Sequence, residues 1–483
     1  MINRISSLIA KYATYLFIIL FSISNILFTY TKNNINKFNI NINVFTLIFV
    51  FLLILLLVKY INKINEKILL YILILITLIF GCYWVISYNS DIIQIDDSYN
   101  VFETAKSFIN KDYAGIGYKS YINTYPHNLF LMIYYSLFII IFNDNALLFI
   151  RLANVIYCIL MIIYIYKISD ILFNNKNINK VTLILLMFMN QYMLLTFHTY
   201  SYLLSYILVI ISIYYFIKYL NVDNKIDLLI SLIIIIISSL IKNNSLIVLV
   251  GMSIYLIIRS INTRKLIPII GILLSVIVYV SLNMFVSSYF ESKGQTSYDN
   301  KLPMISWIAY GLNYDDNNIG GYFPYIEDYH VQNDYVVEYT DIFVKENIKH
   351  SINYVYNNLY SFSEFYSKKF IRTYSDPTFD ALDSYSILDQ SNSLLYGNLS
   401  LIIKMVWKIG LLLMVLGLIS FINKINDINI YFIGIIVFGG FLFHTVWETK
   451  SIYVYNYIIL LIPYASYGIN KIINKRMKGE YIY

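Results

Sequence analysis

The sequence predicts an all-α polytopic membrane protein of about twelve transmembrane helices, with an interfacial helix in the first outer loop and a small extracytoplasmic domain. Three observations predict it. Of the 483 residues, 59% are hydrophobic and 13% charged, a balance outside that of water-soluble domains. Apolar stretches such as 47–58, 68–80, 232–237 and 411–419 recur along the chain, each inside a segment of about 20 residues, the length that crosses roughly 30 Å of hydrocarbon. Short loops rich in Lys and Arg separate these stretches, as they do on the cytoplasmic side of membrane proteins. Helix is the required form, because lipid offers no partner to an unpaired backbone N–H or C=O.

Taken in order, the expected spans are 7–30, 43–59, 68–88, 146–167, 181–198, 201–219, 226–241, 245–259, 266–289, 400–422, 429–446 and 452–470. The first follows Arg4 and Lys11 and lacks a small-residue cleavage site, so it reads as a retained anchor. The basic loops are Lys59/Lys63/Lys67, Lys167/Lys176/Lys180, Arg259/Arg264/Lys265, Lys424 and the tail Lys471/Lys475/Arg476/Lys478. With the N-terminus they fix the inside, and both ends are cytoplasmic. Counting the apolar segment 128–142 as a further crossing would put the basic tail outside, so it is laid in the outer interface. Three units follow: an N-terminal transmembrane module 1–289 with an outer loop 89–127, an extracytoplasmic loop domain 290–399, and C-terminal helices with a basic tail, 400–483. The loop domain contains a Gly320-Gly321 turn, then Val337, Ile342, Phe343, Ile348, Ile352, Val355 and Leu359 at helical spacing.

Charge supports the same division. The net charge is +7, but between Glu291 and Tyr396 there are 15 acids and 7 bases, leaving 13 acids and 28 bases elsewhere. An acidic loop and a basic remainder belong to different compartments, and no basic patch is interleaved with a soluble fold as nucleic-acid binding would need. Cys82 and Cys158 both fall in apolar segments and read as small buried residues, with no redox role. No nucleotide-binding loop, dinucleotide fingerprint, zinc-protease motif or nucleophile elbow occurs.

Candidate chemistry gathers at the outer edge. Asp96 and Asp97 adjoin just past the third span, where a desolvated carboxylate serves as a general base or as half of a divalent cation site; solvated surface acids are the bland alternative. Tyr125-Pro126-His127-Asn128 sets a bend that puts an imidazole at headgroup level, within reach of a phosphate or simply as polar decoration. Lys242 sits between two apolar spans on the side that should lack lysine, so it needs a counter-ion or snorkels to water. Trp447, Glu448 and Lys450 lie at the end of the penultimate span, with Glu448 and Lys450 also readable as a boundary ion pair. Arg151 is a buried charge near the start of its span with no partner legible in the sequence. The 50 tyrosines, which suit both interfacial belts and sugar stacking, discriminate nothing.

In order along the chain these residues resemble the lipid-phosphate-dependent glycosyltransferases of the GT-C fold, the group of protein O-mannosyltransferases and the aminoarabinose transferase of lipid A, and most of all their Gram-positive polytopic relatives. Asp97 with Ala105, Tyr125-Pro126-His127-Asn128, Arg151-Leu152-Ala153-Asn154, Lys242-Asn243-Asn244-Ser245, and Trp447-Glu448-Thr449-Lys450 with Tyr453 carry the resemblance. Pro303 to Trp307, Gly311-Leu312, and Lys369 with Ser375-Asp376-Pro377-Thr378 extend it into the loop domain. Ile452 and Tyr374 depart from it, standing where relatives tend to carry Arg and Trp.

The resemblance implies a membrane glycosyltransferase of the cell envelope that moves a sugar from a polyprenyl-phosphate donor to an extracytoplasmic acceptor. It makes Asp97, with Asp96 beside it, the catalytic carboxylate, acting as base or positioning the acceptor. Lys242 would neutralise the donor phosphate, with His127, Tyr125, Arg151, Trp447, Glu448 and Lys450 as further substrate contacts. No cofactor is required, although Asp96-Asp97 admits a divalent cation. An oxocarbenium-like transition state agrees with this set, since it needs one carboxylate for the acceptor proton and cations for the departing phosphate. The rival reading is a transporter or flippase of a lipid-linked glycan or small molecule. Such proteins break helices with Gly and Pro near the midplane and repeat their halves; here Pro numbers 6, and no internal repeat is evident.

Overall fold

The computed structural model describes residues 2–31, 34–37, 40–89, 96–316, 318–381, 393–422 and 428–477. Helices account for nearly all of it, beside one antiparallel hairpin of Phe28–Thr31 and Asn34–Lys37. That hairpin shortens the first expected span, whose helix ends at Leu27. The Lys408 ammonium donates to the carbonyls of Asn25 (2.7 Å) and Phe28 (3.0 Å) there, satisfying groups a helix end leaves open.

Among the described residues eight helices are long and apolar enough to cross a membrane, and ten if each of two bent pairs is one span. The polytopic all-α architecture therefore stands, while twelve crossings do not follow from it. The expected spans 181–198 and 452–470 are broken helices, bent by 46° and 53°. Ile430–Val446 is shorter than a full span, and so are the 17 residues of Lys225–Ile241. The expected interfacial segment is a helix, Leu129–Phe142, joined through Asn143–Asn145 to the long helix Ala146–Phe173.

Small side chains set the helix packing. Ser205, Ser238 and Ser245 share hydrogen bonds of 2.8 to 3.3 Å where the helices Tyr202–Val222 and Lys225–Ile241 meet the turn after Lys242; such hydroxyls join helices that lipid does not press together. Gly417 and Gly468 let Ser393–Phe421 and Ile462–Met477 touch backbone to backbone, since a Cβ on Gly417 would lie 2.2 Å from the Ala465 carbonyl oxygen. By contrast, only 11% of the apolar window of Ile267–Gly294 is buried, leaving that helix to lipid.

The bundle has two unlike ends. At one, Lys180 donates to the Ile61 carbonyl (3.0 Å), and Asp223 pairs with Arg259 (2.9 Å) and Lys265 (2.5 Å), so the basic loops cluster. At the other end lies the loop domain, with helices Ser306–Gly311, Tyr325–Gln332, Val337–Val355 and Leu359–Tyr374. Its core gathers Leu302, Ala309, Tyr310, Ile326 and Val344. The expected amphipathic helix is present but ends at Val355, Leu359 opening the next one, and its buried face differs in part: Thr340, Val344, Ser351 and Val355 are buried, whereas Ile342 and Ile352 are exposed. Backbone bonds fix the domain in place: Leu302 N–H to the Thr124 carbonyl (3.2 Å), Glu448 N–H to Trp307 (2.9 Å) and Thr449 N–H to Gly320 (2.9 Å).

Candidate functional site

Asp97 occupies the first turn of the helix Asp96–Ile109 and is exposed. Val101 and Ala105, one and two turns on, are fully buried among Leu131, Met132 and Tyr135, which pins the helix to Leu129–Phe142 and leaves the carboxylate at its free end. A helix N-terminus favours negative charge there. Asp96 opens the same helix; its side chain lies outside the described residues.

Lys242 follows the last residue of Lys225–Ile241, in extended backbone (φ −145°) that turns the chain toward Asn243–Ser245. Tyr457 holds that turn by donating to the Asn244 carbonyl (3.1 Å). The ammonium sits 4.4 Å from the ring centres of both Tyr200 and Tyr202 and 5.4 Å from that of Tyr453. Ring faces attract a cation, most strongly when water is excluded. Among the described residues no carboxylate forms a salt bridge with Lys242. Burial pulls its pKa down to about 8, while the more distant charges of Asp97 and Glu448 act to keep the proton on. Asp97 and Lys242 are thus near enough for their charges to act on one another.

Glu448 is 6% exposed and comes from the segment clamped to the loop domain. Burial raises its pKa, opposed by the cations of Lys450, Lys242 and Arg372. The boundary ion pair with Lys450, the alternative reading, is not formed, since among the described residues no salt bridge joins them. Lys450 instead stands half-buried, close enough to add its charge to the field at Lys242, Glu448 and His198. Trp447 stacks on Phe443 at 5.0 Å, and its carbonyl accepts from Lys369 (3.1 Å). The Lys369 ammonium also donates to Gly311 (2.6 Å) and Thr445 (3.0 Å), so a buried lysine bolts the loop domain to the Trp447–Lys450 segment.

His127, Tyr125 and Trp307 form an aromatic triangle, edge to face at 6.0 to 6.5 Å, with Lys242 near enough for its charge to act on the imidazole. Arg151 has contacts of its own. It is fully buried, donates to the carbonyl (2.8 Å) and side-chain oxygen (2.9 Å) of Asn89, and rests on Phe197 at 5.2 Å, so its guanidinium meets the end of the third helix and not open space.

Several neighbours were not singled out in the sequence. Tyr200 and Tyr202 cage Lys242, and Glu327 of the loop domain accepts from Tyr322 (2.6 Å) beside Tyr125, with Asp97 near enough to act on Tyr322. A single pair of tyrosines, Tyr200 and Tyr202, carries no signal among 50, and Glu327 has none among 15 loop acids. Among the described residues no group of three His, Cys, Asp or Glu is placed to hold a metal ion.

The site brings a carboxylate within electrostatic reach of an ammonium that rests on aromatic rings. No curated protein and no solved structure matches the chain. Residues 127–285, about a third of the sequence, match the dolichyl-phosphate-mannose-protein mannosyltransferase family; the match includes His127, Arg151 and Lys242 and stops short of Asp97 and Trp447–Lys450. That match, on a polytopic helical frame, marks the chain as a membrane glycosyltransferase similar to this family.

Proposed function

We propose that the protein transfers a hexose or related sugar from a polyprenyl-phosphate donor to an acceptor outside the cell. Asp97 is the base that takes the acceptor hydroxyl proton as its oxygen bonds to the anomeric carbon. The bond from that carbon to the phosphate oxygen breaks, and the electron pair leaves with the phosphate. Lys242 faces that phosphate and stabilises the charge it gains, which is where electrostatic catalysis is most effective. His127, Trp447, Glu448 and Lys450 complete the substrate contacts, and Tyr125 with Trp307 supplies stacking surface. Arg151 acts from behind, through Asn89.

The observation that carries this reading is the Lys242 ammonium, held by three tyrosine rings and, among the described residues, without a salt-bridge partner, while the charges of Asp97 and Glu448 reach it. A cation so placed awaits an anion, and a lipid phosphate delivers one at the depth where the turn lies. A transporter is disfavoured because these charges gather at one end of the bundle and not at its middle. The site faces outward if the basic loops at the opposite end are cytoplasmic.

Asp97→Asn and Lys242→Ala test the assignment in membranes supplied with polyprenyl-phosphate mannose. Asp97→Asn is expected to lower turnover by about 10²- to 10⁴-fold, the usual yield of general base catalysis, with expression unchanged. Lys242→Ala is expected to weaken donor use. Near-normal turnover by Asp97→Asn removes that residue from the role, and unaltered donor dependence in Lys242→Ala does the same for the lysine.

A further inference from the structure

The helix Ser451–Ile459 begins without a cap of its own. Its N-cap position is Lys450, whose side chain makes no capping hydrogen bond. A helix start leaves N–H groups unsatisfied and carries partial positive charge, so an ammonium there has the wrong sign. Two carboxylates of the loop domain offset both defects. That of Asp376 accepts from the Ser451 hydroxyl (2.7 Å), and that of Asp380 accepts from the Ile452 N–H (3.3 Å).

Asp376 also builds the turn that delivers Asp380. One of its oxygens accepts from the Thr378 N–H (2.8 Å) and hydroxyl (2.7 Å), and the other, besides Ser451, from the Asp380 N–H (3.1 Å). Phe379 (φ +47°) and Asp380 (φ +57°) are both left-handed, a conformation that residues other than glycine seldom adopt unless their surroundings impose it. Here the surroundings do so. Phe379 is fully buried with its ring 5.1 Å from that of Tyr455, and Gln191 donates to the Pro377 carbonyl (2.8 Å), tying the turn to the helix bundle.

What the two acids hold belongs to the site. Lys450 precedes the tethered pair Ser451-Ile452, and Tyr453 follows it, its N–H bonded to the Lys450 carbonyl (3.1 Å). The Tyr453 ring centre lies 5.4 Å from the Lys242 ammonium, and its hydroxyl donates to Glu448 (3.5 Å). We propose that Asp376 and Asp380 are positioning residues that cap this helix from the loop domain and so fix Lys450 and Tyr453 on the donor-phosphate side of the site. The proposal rests on the assignment of Lys242 and Lys450 to that side. Neither acid touches the reacting atoms.

Asp380→Ala removes the acceptor of the Ile452 N–H, whereas Asp380→Asn keeps one, and asparagine caps helices as well as aspartate does. In the full chain, in membranes supplied with polyprenyl-phosphate mannose, Asp380→Ala is expected to raise donor KM about tenfold with kcat within about threefold of wild type. Asp380→Asn is expected to stay within about twofold in both. Ser451→Ala, which deletes only a hydroxyl, should raise donor KM about threefold, and it carries the test should Asp380→Ala fail to accumulate. Because Asp380 acts through the placement of Lys450, the double variant Asp380→Ala/Lys450→Ala should lose less than the product of the two single losses. Unchanged donor KM in both Asp380→Ala and Ser451→Ala overturns the proposal. So does an Asp380→Asn as impaired as Asp380→Ala, or a double variant whose losses multiply in full. If this happens while Lys242→Ala still weakens donor use, only the tether is wrong; a Lys242→Ala without effect on donor use overturns the assignment and the tether together.

Discussion

Lys242 shows how one residue is legible in sequence and another beside it is not. Its place between two apolar spans, on the side where lysine is rare, singles it out from charge distribution alone. The rings that hold it come from Tyr200, Tyr202 and Tyr453, residues 40 or more positions away, and only folding brings them together. Arg151 is the converse case, a charge visible in the sequence whose contact with Asn89 is a matter of helix packing. The cage has a consequence for pH dependence. Burial brings Lys242 down to about 8 from the usual lysine range, so in the free enzyme the ammonium is present below that pH and lost as pH rises through it. The pH profile of kcat/KM, which reports the free enzyme, should therefore fall above about pH 8. Lys242→Arg keeps its charge at every accessible pH and should retain part of the activity with that basic limb moved upward; a limb that stays in place belongs to some other group.

At the scale of elements, periodicity found the helix of the loop domain but misjudged its buried face. The apolar positions between Val337 and Leu359 fit one helical repeat, yet the helix stops at Val355, Leu359 starts the next, and Ile342 and Ile352 stay exposed while Thr340 and Ser351 are buried. The broken spans were hidden for a related reason: hydropathy averages over a window and does not register a bend of 46° or 53°. What joins the loop domain to the bundle is a close backbone approach, which no hydropathy pattern reports. A Cβ at Gly311 would lie 2.0 Å from the Val446 carbonyl oxygen and 2.5 Å from the Trp447 carbonyl carbon, both backbone atoms that cannot swing aside. Gly311→Ala should thus cost about 1–3 kcal/mol, the range for overpacking. It should also displace Glu448, whose N–H is tied to Trp307 in the same small helix. A lowered unfolding temperature in detergent, together with weaker donor binding, is the expected result. An unchanged temperature would mean that the contact yields more easily than its geometry implies.

Over the whole molecule, charge and packing agree on two ends. Lys180 is tied to the loop of Ile61, and Arg259 and Lys265 to Asp223, while the acidic loop domain, Asp97 and Lys242 share the other end. The alternation of apolar spans made this bipolar arrangement readable, although the number of crossings was not, because short and bent helices break the relation between length and span. The lysine and arginine content of the short loops predicts which end faces outward. This orientation can be tested with single cysteines in a chain whose Cys82 and Cys158 have been changed to Ser. Leu359→Cys places a thiol at an 82% exposed position on the loop domain, and Lys63→Cys places one in an exposed basic loop at the opposite end. With a membrane-impermeant maleimide on intact cells, the first should label at once and the second only after permeabilisation. The reverse pattern would put the site in the cytoplasm, where nucleotide-linked donors are at hand and the case for a lipid-phosphate donor loses its topological support.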